Sequence, residues 1–243
     1  MAIARVDITG NINDRMENRI VPIINYLEFK RKYKAVILYI NSPGGSASSS
    51  ENIARKVQEL ARRKPVYAVI SGTGASGSYW IASSCDRIYA SGTSIVGSVG
   101  IISILPSFKG LMDKLGVKVD IAKVGEFKSL MSPFEERDKE AIDHMQSTLI
   151  DLFEGFRSDI IRLRRIPDDK VSSVINGDVF SAKKGLELGL IDAVGNVEDA
   201  LSYLKEKFQI AGKVRNLSPR PPLIARYLSG AVSGAIDFIF QPR

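Results

Sequence analysis

The sequence predicts an α/β domain of repeated βαβ units with a mainly parallel sheet and C-terminal helices. Three observations carry this. Residues 35–40 and 66–70 are nearly continuous apolar runs of strand length, as expected for strands covered on both faces. Each run is followed by a glycine- and serine-rich turn that opens a helical stretch. A chain of 243 residues with 44% apolar content can bury one such core and still carry an appendage.

The elements follow in order. Residues 1–8 alternate apolar and polar side chains and read as a strand, not as a signal peptide. After strand 35–40, Asn41-Ser42-Pro43-Gly44-Gly45 leads to Ser46, which opens a helix to about Arg63. Pro65 ends that helix and precedes strand 66–70. The stretch 71–78 reads as a turn, 79–84 as a short helix and 87–90 as a strand. Residues 105–115 read as helix and 117–122 as a further strand.

A long helix is expected over 134–165, opening after Pro133 and ending before Pro167. Its apolar set, Ile142, Met145, Leu149, Leu152, Phe153, Phe156, Ile160 and Leu163, recurs at spacings of three and four. Helical segments over 170–175, 182–188 and 196–208 complete a domain spanning 1–215. Residues 216–243 read as a proline-containing linker and an apolar tail.

Charge and composition exclude several classes. The net charge is +7, and +5 of it lies beyond Leu201, where seven Lys or Arg face Glu206 and Asp237. No basic helix is interleaved with stacking aromatics, so nucleic acid is not an expected partner. No uninterrupted apolar run reaches spanning length. Segment 223–240 comes nearest, but Arg226 and Asp237 interrupt it, which suits an interfacial or subunit-contact helix better. The expected location is therefore membrane-associated or cytoplasmic.

The single cysteine, Cys85, rules out an internal disulfide and reads as a buried small side chain. The single histidine, His144, sits off the apolar stripe of the long helix and reads as a solvated surface residue. A Ser-His-Asp triad is then not available, and a two-histidine metal site is excluded. No metal or other cofactor is expected.

A serine nucleophile without histidine needs a carboxylate or a neutral lysine as its base. Its natural seat is a tight turn between a parallel strand and a helix, where backbone N–H groups face a developing oxyanion. Two turns qualify, 42–45 and 72–78.

Five blocks, in order and at family-like spacing, resemble the signature of the signal peptide peptidase A family. They are Asn41-Ser42-Pro43-Gly44-Gly45, Gly74-Ala75-Ser76-Gly77-Ser78-Tyr79-Trp80, Gly97-Ser98-Val99-Gly100, Gly125-Glu126-Phe127-Lys128-Ser129-Leu130-Met131-Ser132-Pro133, and a tail block over 177–192. The resemblance spans about residues 2–208. It implies a fold similar to Clp protease and crotonase. It also implies Ser76 as nucleophile, Lys128 as general base, Gly45 and Gly77 as oxyanion-hole donors, and Ser98 as a hydrogen-bond partner of the lysine. Ser78 stands where the family usually has glycine and is a rival nucleophile, while Lys123 is a rival base.

The family's single-domain members assemble into rings in which one subunit's lysine serves its neighbour's serine. The implied activity is endopeptidase cleavage of hydrophobic, signal-peptide-like chains. Family members often carry an N-terminal membrane anchor, whereas here the first strand begins at once and 223–240 is the remaining candidate for membrane contact. A thioester-enolate enzyme on the same fold and a non-catalytic scaffold are the competing readings.

Overall fold

The structure, a computed structural model, describes residues 1–218. Strand β1 (Ala2–Thr9) is followed by helix α1 (Asp14–Phe29), β2 (Tyr33–Ser42), α2 (Ala47–Ala61), β3 (Val66–Ala75) and α3 (Gly77–Ser83). Strands β4 (Arg87–Ala90) and β5 (Ile95–Gly97) precede the short helix α4 (Lys109–Lys114) and a 3-10 turn at Glu126–Ser129. Helix α5 (Lys139–Arg164), α6 (Asp168–Val174), β6 (Val179–Ser181), α7 (Ala182–Glu187), β7 (Ala193–Val194), α8 (Val197–Lys207) and β8 (Val214–Asn216) complete the order.

The eight strands among the described residues form one sheet, with β6-β5-β3-β2-β1-β8 as its main path. Every pairing is parallel except β5 with β6. The sheet forks at β3, whose first half, Tyr67–Ile70, pairs with β4 and whose last three residues, Thr73–Ala75, pair with β5.

The period-two geometry of a strand explains how the apolar run of β2 serves two cores. Val36, Leu38 and Ile40 face Ile20, Ile24 and Leu27 of α1 and Ile53, Val57 and Leu60 of α2. Ala35 and Ile37 face the opposite way, onto Ala200 and Leu204 of α8. Helix α1 starts where the Asn13 side chain accepts the Met16 N–H, and Ser46 caps α2 in the same way through the Ser49 N–H.

Four expectations change. Residues 71–75 are strand, not turn, because β5 supplies an edge to pair with and Thr73 N–H donates to the Asn41 side chain. Residues 117–122 form no strand: they are exposed and have no sheet edge beside them. The helix over 105–115 is confined to α4. Helix α5 opens at Asp138, whose carboxylate accepts the Ala141 N–H, not at Pro133. Strand β8 continues past residue 215. Leu217 N–H donates to Arg5 C=O and Asp7 N–H to Ser218 Oγ, so the packed unit runs through at least Ser218. Segment 223–240 lies outside the described residues.

Candidate active site

The fork in the sheet places Ser76. It follows the last residue of β3 and precedes the first of α3, with φ +54° and ψ −128°. A non-glycine residue at positive φ carries about 1–3 kcal/mol of strain and persists only where the surroundings hold it. Here they do. Ser76 N–H donates to Gly97 C=O of β5 at 2.8 Å, and its own carbonyl accepts the N–H groups of Tyr79 (2.9 Å) and Trp80 (3.0 Å). Ser46 spends its hydroxyl on its helix, whereas Ser76 makes no side-chain cap bond to α3. The nucleophile candidate is thus fixed by backbone alone.

The turn 42–45 is wedged against it. A Cβ on Gly44 would stand 2.9 Å from Ala75 O, Gly77 N and Ser76 Cβ, so only glycine admits this approach. A Cβ on Gly77 would stand 2.1 Å from Ser50 Oγ and 3.8 Å from the Gly45 nitrogen. The loop is held from the far side by Ile12, whose N–H donates to Gly44 O and whose carbonyl accepts Ser46 N–H, both at 2.8 Å. Neither Gly45 nor Gly77 N–H donates to a backbone carbonyl among these turn and loop bonds. Gly77 also opens α3, whose first N–H groups have no partner within the helix.

Gly45, Ser76 and Gly77 line one cavity of about 260 Å³ with Trp80, Ile101, Ile102 and Phe156. The Trp80 and Phe156 rings stack with centroids 4.7 Å apart, and Trp80 Nε1 donates to Asp159 at 2.9 Å. One wall is therefore apolar, with its two rings stacked, and Gly45 and Gly77 stand on the same cavity.

Ser98 and Lys128 are not among the residues lining this cavity. Ser98 is half-buried at φ +52°, with its N–H on Asp178 C=O at 2.6 Å. Lys128 is exposed on the 3-10 turn. Two side chains that the sequence did not single out for this role help to fasten that turn. Arg137 donates to the carbonyls of Leu130 (2.8 Å), Ser132 (2.7 Å), Pro106 (3.2 Å) and Leu105 (3.3 Å). Exposed His144 stacks on Phe127 at 4.4 Å and 9°.

The rival residues are occupied elsewhere. Ser78 is fully buried and its hydroxyl lies 2.6 Å from Ser42 O and 2.8 Å from Ala75 O, so its proton is committed to these carbonyls. Lys123 is paired with Glu135 at 3.1 Å and donates to Ser129 Oγ at 2.7 Å. Cys85 is buried, and burial pushes its thiol far above the ordinary range, which makes it inert.

The segment from Gly100 to Gly155 contains no buried residue. Ile102 and Ile104 are each 80% exposed and Val124 is 96% exposed. In α5 only Phe156 and Ile160 are fully buried, with Phe153 packed partly buried against the core, while Ile142 and Leu152 face solvent. Among the described residues no helix is long and apolar enough to cross a membrane, and no cluster of His, Cys, Asp and Glu could hold a metal ion.

The comparisons fit this geometry. The family model described as peptidase family S49 matches residues 58–211, and the Clp protease model matches residues 2–93. A putative protease of Methanocaldococcus jannaschii is 36% identical over 186 residues, 76% of this chain and 60% of that one. A putative protease of Synechocystis is 32% identical over 201 residues, 83% of this chain and 72% of that one. A putative signal peptide peptidase SppA of Enterococcus faecium is 28% identical over 217 residues, 84% of this chain and 63% of that one. The chain thus spans about 60–70% of the length of these relatives. With the strained serine turn, the paired glycine loop and most of its length matched in order, the chain belongs to peptidase family S49.

Proposed function

We propose that the chain is a serine endopeptidase that cleaves apolar peptides through a Ser76–Lys128 dyad completed between neighbouring copies. The observation that carries this reading is the Ser76 turn itself, a strained serine with no side-chain cap bond that shares one cavity with Gly45 and Gly77. The Lys128 amine of one copy takes the Ser76 proton of the next as Oγ attacks the scissile carbonyl. The carbonyl π electrons move to oxygen, and the Gly45 and Gly77 N–H groups stabilise that oxyanion. Losing one such donor typically costs about 10²–10³ in rate. The lysinium then protonates the departing amine as the C–N bond breaks. A water deprotonated by the regenerated Lys128 amine attacks the acyl-enzyme, and the proton passes from Lys128 to Ser76 Oγ as the acid leaves.

Ser98 is assigned as a hydrogen-bond partner of the incoming lysine. The apolar wall of Trp80, Phe156 and Ile101 supports apolar side chains in the substrate, of the kind found in signal-peptide remnants. Exposed apolar side chains from Ile102 to Leu152 support a ring, since a single copy leaves them in water.

Labelling with a fluorophosphonate probe, followed by peptide mapping, tests the assignment. Phosphonylation of Ser76, lost in Ser76→Ala and strongly slowed in Lys128→Ala, is expected. A label on another serine, or a Ser76→Ala variant with full peptidase activity, would overturn it. Turnover of an acyl-CoA thioester by way of an enolate, with no serine labelled, would favour the alternative chemistry of this fold.

A further inference from the structure

The opposite end of the sheet carries a feature that the peptidase reading does not use. Parallel pairing of Val36 with Val66 sets the entries to β2 and β3 side by side. The connection before β2 reads Phe29-Lys30-Arg31-Lys32-Tyr33-Lys34, and the one before β3 reads Arg62-Arg63-Lys64-Pro65. Lys64 ties the two together by donating to the carbonyls of Leu27, Lys30 (3.3 Å) and Tyr33 (3.2 Å). Seven cations thus share one edge. Glu28 is the carboxylate in the cleft between the connections, and Arg63 takes it at 2.6 Å. Burial and the neighbouring Lys34 push the Lys64 ammonium below its ordinary value, consistent with positive charge concentrated here. The cleft, about 590 Å³, is lined by Phe29, Arg31, Tyr33, Lys34, Arg63 and Lys64.

Exposed aromatic rings accompany this charge. Phe29 is 67% exposed and Tyr26 43%. Each nearby ring already has a cation of this chain over it. Lys30 lies 5.1 Å from the Tyr26 centroid, Lys32 5.0 Å from Tyr33, and Arg63 5.0 Å from Phe29. Self-repulsion of this kind destabilises the folded chain unless anions answer it.

We propose that this edge docks on an anionic phospholipid surface. The cations meet headgroup phosphates and carboxylates, and Phe29 enters the boundary below them. Single-stranded nucleic acid suits the patch less well, because base stacking needs free ring faces. Here the chain's own ammonium and guanidinium groups lie over them.

Co-sedimentation of the full chain with vesicles provides the test. Phosphatidylcholine vesicles carrying about one-third phosphatidylserine should bind it, pure phosphatidylcholine should not, and added salt should release it. Each lysine or arginine near such a surface contributes about fivefold. The variant with Lys30, Arg31, Lys32 and Lys34 all changed to Gln should therefore bind at least about a hundredfold more weakly. A control that loses the same charge elsewhere, with Lys139, Lys183, Lys205 and Lys213 changed to Gln, should stay within a few-fold of the parent. Phe29→Ala should lose several-fold. Both multiple variants should keep full peptidase activity on a soluble peptide, so failure here stays separate from failure of the Ser76 assignment. Unchanged vesicle binding by the first variant, an equal loss in the control, or capture of a single-stranded oligonucleotide in place of vesicles would overturn the proposal.

Discussion

The two halves of the proposed site differ in how they are held. Ser76 sits in a turn fixed by β5, α3 and the glycine loop, with the core of the sheet behind it. Lys128 rides on a segment in which no residue between Gly100 and Gly155 is buried. The first half can carry strain because its neighbours over-determine it. The second keeps its turn through one guanidinium, one stacked ring and the Lys123–Ser129–Glu135 side-chain contacts, and leaves its apolar side chains in water. On the proposed assignment, a single chain folds the serine and its glycine donors, and the placement of the lysine is left to assembly.

The contrast can be broken from the serine side with the largest effect. Ser76→Gly should abolish peptidase activity, at least about 10⁴-fold in kcat by analogy with triad deletions. It should also raise unfolding stability by about 1 kcal/mol, because glycine adopts positive φ without strain. Activity assays and thermal denaturation on one preparation check both, and a destabilised Gly variant would show that the turn is not strained. Gly77→Ala drives a methyl into Ser50 and should cost about 3 kcal/mol or more in stability. Adding Ser50→Gly removes the obstructing atoms and should restore most of that loss in urea unfolding.

From the lysine side the effects are smaller and of another kind. Arg137→Ala removes four carbonyl bonds around the Lys128 turn and should lower kcat about 10–100-fold. KM and the melting of the core should barely move, since Arg137 lies outside the buried clusters. Arg137→Lys offers a compact charge in place of the planar fork and should rescue little. A large fall in melting temperature would mean that the segment is part of the core after all.

The smallest effect belongs to the second core, away from both halves. Burial pushes the Tyr67 hydroxyl up to about 12 from its ordinary 10. The unfolded chain therefore loses this proton first, so stability falls as pH rises from about 10 to 12. Tyr67→Phe should flatten that alkaline decline in pH-dependent unfolding, leaving activity near neutral pH unchanged.

How much was legible in the sequence follows the same division. The strands of the core announce themselves as apolar runs, and the caps Ser46 and Asn196 stand where their helices begin. The misread parts cluster in 101–155. The alternation in 117–122 and the stripe of Ile142, Met145, Leu149 and Leu152 are real amphipathic patterns. Periodicity reports that a face is apolar, however, not which molecule covers it. Helix α1 was hidden by Pro22 in its middle, a residue that argues against a helix interior. Residues 71–75 look like a turn because small residues dominate, and only the distant β5 makes them strand. Ser76 stood out on its turn from residue chemistry alone, whereas the choice of Lys128 came from resemblance. The basic edge is written in Phe29-Lys30-Arg31-Lys32-Tyr33-Lys34, but only the parallel pairing of β2 and β3 brings it beside Arg62-Arg63-Lys64.

Mixing two inactive variants tests the shared site most directly. Ser76→Ala and Lys128→Ala chains, dissociated and reassembled together, should recover a fraction of wild-type peptidase activity, because some interfaces then join an intact serine to an intact lysine. Mixed assemblies, verified by differential tagging, that stay inactive would contradict a dyad completed between copies.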